Sequence, residues 1–111
     1  MQRLDLSSLP DAPLDAAAAF YREWAGQARA LAGSDLTIVF PSADHTHRTW
    51  RLAAVQELAR SAVPNRVNAV ASESEAAISA ALRYLKDAPG VTGQYLPLDD
   101  AGAGNVIEAQ A

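Results

Sequence analysis

RVNAVASESEAAISAALRYLKDAPGVTGQYLPLDD, residues 66 to 100, contains a strand, a helix and a second strand in close succession. Arg66 to Ala71 is a short apolar run. Ser72, followed three residues later by Glu75, has the spacing of a capping box, in which each side chain satisfies a free N–H of the other's backbone. Ile78, Ala81, Leu82 and Leu85 then recur at helical spacing and form one apolar stripe. Ala88-Pro89-Gly90 stops the helix, and Gln94 to Leu98 returns to an extended run. A β-α-β unit with a crossover this long joins parallel strands.

Working back toward the N-terminus repeats the unit. Leu36 to Phe40 (LTIVF) is rich in β-branched residues, as expected of a strand buried on both faces, and Pro41 ends it. Thr49 to Val63 is a helix with Leu52, Val55, Leu58, Ala59 and Ala62 on its core face, stopped by Pro64-Asn65. Leu14 to Ala32 places Leu14, Ala17, Tyr21, Trp24, Ala28 and Leu31 at three- and four-residue intervals and ends at Gly33, an amphipathic helix. Gln2 to Leu6 is a first, short strand, separated from that helix by SSLPDAP. The pattern β-α-β-α-β-α-β predicts an α/β domain over residues 1–111: a four-stranded parallel sheet with three crossover helices, followed by a loose tail over 99–111.

Composition excludes several function classes. The 111 residues leave room for one modest core, and the net charge of −4, with nine Lys and Arg scattered singly, argues against nucleic acid. No cysteine is present, which removes disulfides, thiolate chemistry and cysteine-ligated zinc. MQRLDLSSLPDAP carries no signal-peptide core, and no run approaches a membrane span, so a cytoplasmic address without membrane contact is expected.

RVNAVA, ALRYL and VTGQYLPLDD resemble the closing strands and helix of the short-chain dehydrogenase/reductase family. DLTIVFPSA is similar to the strand ending in that family's catalytic serine, and AAVQELARSA to the helix after its Tyr-xxx-Lys motif, so the resemblance covers roughly residues 35 to 100. It implies a Rossmann-like half domain. The departures bear more directly on function. None of the six glycines opens a helix after a strand, so the backbone nest for a pyrophosphate is missing and no NAD or NADP cofactor is expected. ADHTHRTWRL, residues 43 to 52, holds neither the tyrosine nor the lysine, and SESEAA replaces the substrate loop after VNAVA. No catalytic, cofactor or metal residue is assigned. The resemblance leaves Ser42 as the one residue able to take a family catalytic position, and a serine ending a strand is its plainer reading.

Asp44, His45 and His47 follow the C-terminal end of a strand, where open α/β sheets collect ligands. An aspartate and two histidines have the chemistry to hold a metal or relay protons; equally, Asp44 or Thr46 caps the next helix and both histidines stay in water. In the solvated case, replacing both histidines by alanine leaves stability nearly unchanged. Ser42, Asp44, His45, His47 and Asn68 are the polar groups of a possible ligand crevice over the strand ends. Trp50 falls on the helical wheel with Ala53, Ala54 and Glu57, an outer strip suited to an isologous contact. With strands in order 1-2-3-4 and right-handed crossovers, all helices share one sheet face, yet LTIVF and RVNAVA place apolar side chains on both, so either a crossover breaks the usual order, the tail folds over, or another subunit covers the second face. These features give three alternatives: a non-catalytic reductase-like scaffold that forms a homo-oligomer, a dimer in the simplest case, or joins a reductase-like protein as an accessory subunit; a small enzyme or metal site; or a small-ligand binder.

Overall fold

A computed structural model of the chain describes residues 1–98; the expected loose tail lies outside the described residues. The two apolar runs form the middle of the sheet. Strands β1 (Gln2–Asp5), β2 (Leu36–Phe40), β3 (Val67–Ala71) and β4 (Tyr95–Pro97) lie side by side in chain order, all parallel. Every residue of β2 and β3 is buried, as continuous apolar strands covered on both faces require. Register is set by the pairs Gln2 with Leu36, Leu36 with Val67 and Ala69 with Tyr95. The resulting α/β architecture is a Rossmann-like half domain, and among the described residues no helix is long and apolar enough to cross a membrane.

Between β1 and β2 runs one continuous helix in two segments, α1 (Pro13–Ala19) and α2 (Ala25–Leu31), joined by a π turn at Phe20–Trp24. The wider turn changes which side faces the sheet. Ala16, Ala19 and Phe20 are buried ahead of it and Ala28 after it, whereas Leu14 and Tyr21, expected on the core stripe, are 82% and 53% exposed. A strict period fails here because the π turn interrupts it. Phe20 instead stacks against Phe40 and Trp50, with ring centroids 5.7 and 5.8 Å away.

A short 3₁₀ turn, His45–His47, leads into α3 (Arg48–Ala62), which buries Arg51, Ala54, Val55, Leu58, Ala59 and Ala62. Leu52, expected in the core, is only half-buried. Helix α4 (Glu75–Lys86) buries Ile78, Ala81 and Leu85 of the expected stripe, with Leu82 half-buried beside them. Its cap differs from the expected box: Ser74 occupies the N-cap and accepts from the Ala77 N–H at 3.2 Å, while Ser72 accepts from the Ser74 N–H at 2.9 Å. The cap sits two residues later because the 72–74 segment is itself tied by Ser72.

The two sheet faces are both covered, and of the three expected alternatives it is a crossover breaking the usual order that covers the second. On one side Leu4, Leu36, Ile38, Phe40, Val67, Ala69 and Tyr95 pack with α1, α2 and α3. On the other, Val39 and Val70 pack with Ile78, Ala81 and Leu85 of α4. Since each connection steps one strand in the same direction, the β3–α4–β4 crossover has the opposite hand to the first two. The first face has no room left for it. Helix α3 already reaches β4 there, and Gly93, at φ +74°, brings the backbone before β4 against α3, with Ala59 Cβ 3.7 Å from where a Cβ would stand. Burying Ile78 and Leu85 on the other face is worth roughly 1.5–3 kcal/mol each as an upper estimate.

Asp35 and Arg66 tie the opposite end of the sheet. The Arg66 N–H donates to Asp35 Oδ1 at 2.8 Å and its Nε to Oδ2 at 3.0 Å, and the guanidinium also donates to the carbonyls of Leu85 and Ala88. The backbone donor, then the guanidinium, hold the Asp35 carboxyl below the usual carboxylate range.

Candidate functional site

The C-terminal ends of the strands are the place where this architecture collects ligands, and each crossover helix starts there. The chain fills those helix starts with its own groups. Helix α1 begins at Pro13, which has no N–H, and carries Asp15 in its first turn. Asp44 caps the 3₁₀ turn by accepting from the Thr46 N–H at 2.9 Å and from the Thr46 hydroxyl; those donors, the hydroxyl first, lower its pKa. Ahead of α4, Glu73 accepts from the Ser42 N–H at 2.7 Å, and Glu75 lies in the first turn. A pyrophosphate placed at any of these termini meets a carboxylate and finds no glycine nest, so the described residues do not fit a dinucleotide.

The residues expected to share one crevice are separated. Ser42 sits at the end of β2 against Glu73. Asn68 belongs to the sheet interior, donating to the Val91 carbonyl at 2.9 Å and accepting from the Gln94 N–H at 3.0 Å, and so fixes the approach to β4. His45 is exposed, but His47 is only 6% exposed. The Trp50 indole N–H, which only donates, reaches His47 Nδ1 at 3.1 Å; His47 Nε2 therefore carries the proton and donates to the Asp11 carbonyl at 2.9 Å. Both ring nitrogens are engaged, and among the described residues no group of three or more His, Asp or Glu is arranged to hold a metal.

This placement corrects the expectation that both histidines are dispensable. Replacing His45 by alanine leaves the melting temperature nearly unchanged, whereas His47→Ala leaves the Asp11 carbonyl and the indole N–H without partners and lowers stability by about 1–3 kcal/mol. Urea titration of the two single variants checks the difference.

The residue that sequence reasoning missed is Arg51. It is 1% exposed, and no carboxylate pairs with it among the described residues. Its Nη1 donates to the Pro41 carbonyl at 2.8 Å and to the Tyr95 hydroxyl at 3.1 Å, and its guanidinium lies 4.6 Å from the centre of the Phe40 ring, with Trp50 and Tyr95 beside it. The signal was present: Arg51, Val55, Leu58, Ala59 and Ala62 share one helical face. His47 and Arg51 also stand four residues apart, the spacing at which the family resemblance places tyrosine and lysine. Here both side chains act as clasps, joining the start of α3 to the loop after β2, to β4 and to the segment before α1.

The outer strip expected on α3 does not form as one surface. Ala54 is fully buried, and Trp50 is half-buried against Phe20 and Phe40; only Ala53 and Glu57 face outward, the latter bonded to Arg60. The wheel reading failed because the aromatic cluster draws Trp50 inward. Trp50→Glu would therefore disturb the core and does not isolate an association effect.

A crevice of about 240 Å³ does open at the strand ends, on the α4 side, and none of the expected crevice residues lines it. Arg3 stands in it, donating through Nη1 and Nη2 to Glu75 at 2.8 and 2.9 Å and through Nε and Nη2 to Asp5 at 2.6 and 3.0 Å. Glu75, then Asp5, raise the Arg3 pKa, and Arg3 in turn lowers that of Glu75. Glu73 also lines the crevice, so one guanidinium faces three carboxylates, a balance hostile to anionic ligands.

A model of the SDR-like family, described as short chain dehydrogenase-like protein, matches residues 4–98 of the chain. No curated protein and no solved structure matches it.

Proposed function

From the premise that the chain belongs to the SDR-like family of short chain dehydrogenase-like proteins, we propose that it is a non-catalytic scaffold that acts by associating with a second copy of itself. One observation carries this reading: the groups with chemistry to offer at the strand ends are already bonded within the chain. Ser42 and Glu73 hold each other's segments, Asp44 caps a turn, His47 and Arg51 clasp neighbouring elements, and Arg3 sits between two carboxylates. A reductase active site needs a free base and a seat for the cofactor phosphates, and here these positions serve the fold. Association has surface to work with. Leu14 and Tyr21 are exposed on the outside of the first helix, and β1 and β4 are uncovered sheet edges among the described residues.

The test has two arms. Light scattering behind a sizing column is expected to give twice the chain mass at micromolar concentration, and calorimetry with NADH and NADPH to give no binding in the low micromolar range. A chain that stays monomeric at high micromolar concentration overturns the association, and a low-micromolar dissociation constant for either nucleotide overturns the non-catalytic assignment.

A further inference from the structure

Resting on the reading of self-association, we propose that the contact is the open edge of β1, where a second copy adds its own β1 antiparallel to form one continuous sheet through a twofold axis. Among the described residues the sheet has two edges, and they differ. Strand β4 spans three residues and includes Pro97, which has no N–H to give a neighbour. Strand β1 keeps all its donors. The Gln2 N–H donates to the Asp35 carbonyl at 2.7 Å and the Leu6 N–H to the Val39 carbonyl at 2.9 Å, so the even-numbered residues turn their peptide groups toward β2. By the alternation of a strand, Arg3 and Asp5 turn theirs outward, away from the sheet.

Charge then selects one register. Outward-facing residues must meet outward-facing residues, so an antiparallel neighbour sets Arg3 opposite Arg3, Asp5 opposite Asp5, or Arg3 opposite Asp5 of the partner subunit. The first two put like charges directly across the ladder. The third places Arg3 against the partner subunit's Asp5 and Asp5 against the partner subunit's Arg3, so a single strand is its own complement. Parallel pairing about a twofold axis along the strands brings outward-facing residues level with each other, which a parallel ladder does not bond, and turns the two helix layers to opposite faces. In the selected register Leu4 lies on the axis opposite Leu4 of the partner subunit, on the face of the larger core, so the helices of both copies stay on matching sides of one sheet. Arg3 needs little further ordering, since Glu75 and Asp5 already hold its guanidinium in a bidentate arrangement.

The register is tested by charge exchange in the full chain. Arg3→Asp leaves only acidic residues at the two outward positions and Asp5→Arg only basic ones, so each variant alone is expected to weaken its dimer about tenfold or more. Mixed in equal amounts, the two variants are expected to form a heterodimer, because both opposite-charge pairs are then restored. The double variant Arg3→Asp with Asp5→Arg is expected to dimerise again by itself. Asp5→Pro removes an outward N–H without touching the bonds to β2, and is expected to yield a folded monomer by circular dichroism. A wild-type dimer indifferent to Asp5→Arg and Asp5→Pro overturns the β1 seam and leaves self-association standing; two single variants that dimerise alone as well as they do together overturn the register. A wild-type chain that is monomeric overturns the seam and the reading beneath it together.

Discussion

Phe40→Ala is expected to remove about 3–5 kcal/mol, a large fraction of the roughly 5–15 kcal/mol typical of a folded domain. Phe40 is fully buried at the end of β2, where the strand delivers its last core side chain before Pro41. Its ring centre lies 5.7 Å from that of Phe20, 5.7 Å from Trp50 and 5.9 Å from Tyr95, and the Arg51 guanidinium covers it at 4.6 Å. Those partners come from the first helix, α3 and β4. Truncation leaves a void walled by rigid rings that cannot collapse into it, so the cavity contribution adds to the lost transfer energy. Phe40→Leu keeps most of the volume and is expected to lose clearly less. Urea denaturation followed by circular dichroism measures both, and equal losses in the two variants would mean that shape at this site matters little.

Arg51→Ala is the second large effect, expected at about 3–4 kcal/mol. It opens a void beside Phe40 and leaves the Pro41 carbonyl and the Tyr95 hydroxyl without their donor. Arg51→Met separates the two contributions. Methionine fills much of the same space and removes a buried charge that, among the described residues, has no carboxylate beside it and whose Nε has no hydrogen-bond partner there, so stability within about 1 kcal/mol of the parent is expected. If the methionine variant falls as far as alanine, the hydrogen bonds and not the packing hold this corner together.

The strands and helices were legible because LTIVF and VNAVA are short continuous runs that suit strands buried on both faces, and the α4 stripe keeps one helical period over enough residues to be counted. Legibility failed where one residue served a distant partner. Tyr21 and Leu14 fit a regular helical stripe, but the π turn at Phe20–Trp24, which lets Phe20 meet Phe40, is a tertiary effect with no local signature. Arg51 occupies a core position in the periodicity, but a charged residue there reads as surface. The grouping of Ser42, Asp44, His45, His47 and Asn68 assumed that polar residues near strand ends converge. They diverge because each satisfies a local backbone group: Glu73 binds the Ser42 N–H, Asp44 a turn, His47 the Asp11 carbonyl, Asn68 the approach to β4. The side of the sheet taken by α4 was likewise invisible, since α3 and Gly93 exclude it from the first face only once the chain is packed.

That placement of α4 makes the native state unequal in its resistance to opening. The smaller layer rests on a few side chains, Val39 and Val70 below and Ile78, Ala81 and Leu85 above, while the other layer holds the aromatic cluster and three helical segments. Successive residues of β4 belong to different layers, Tyr95 to the larger and Leu96 to the smaller, so the strand acts as a hinge pin between them. Lifting α4 away leaves Tyr95 and its bond to Arg51 in place and keeps the larger layer closed. The amide protons of α4 are therefore expected to exchange with solvent through a partial opening less costly than global unfolding, and those of β2 and β3 only when the whole molecule comes apart, which native-state hydrogen exchange checks.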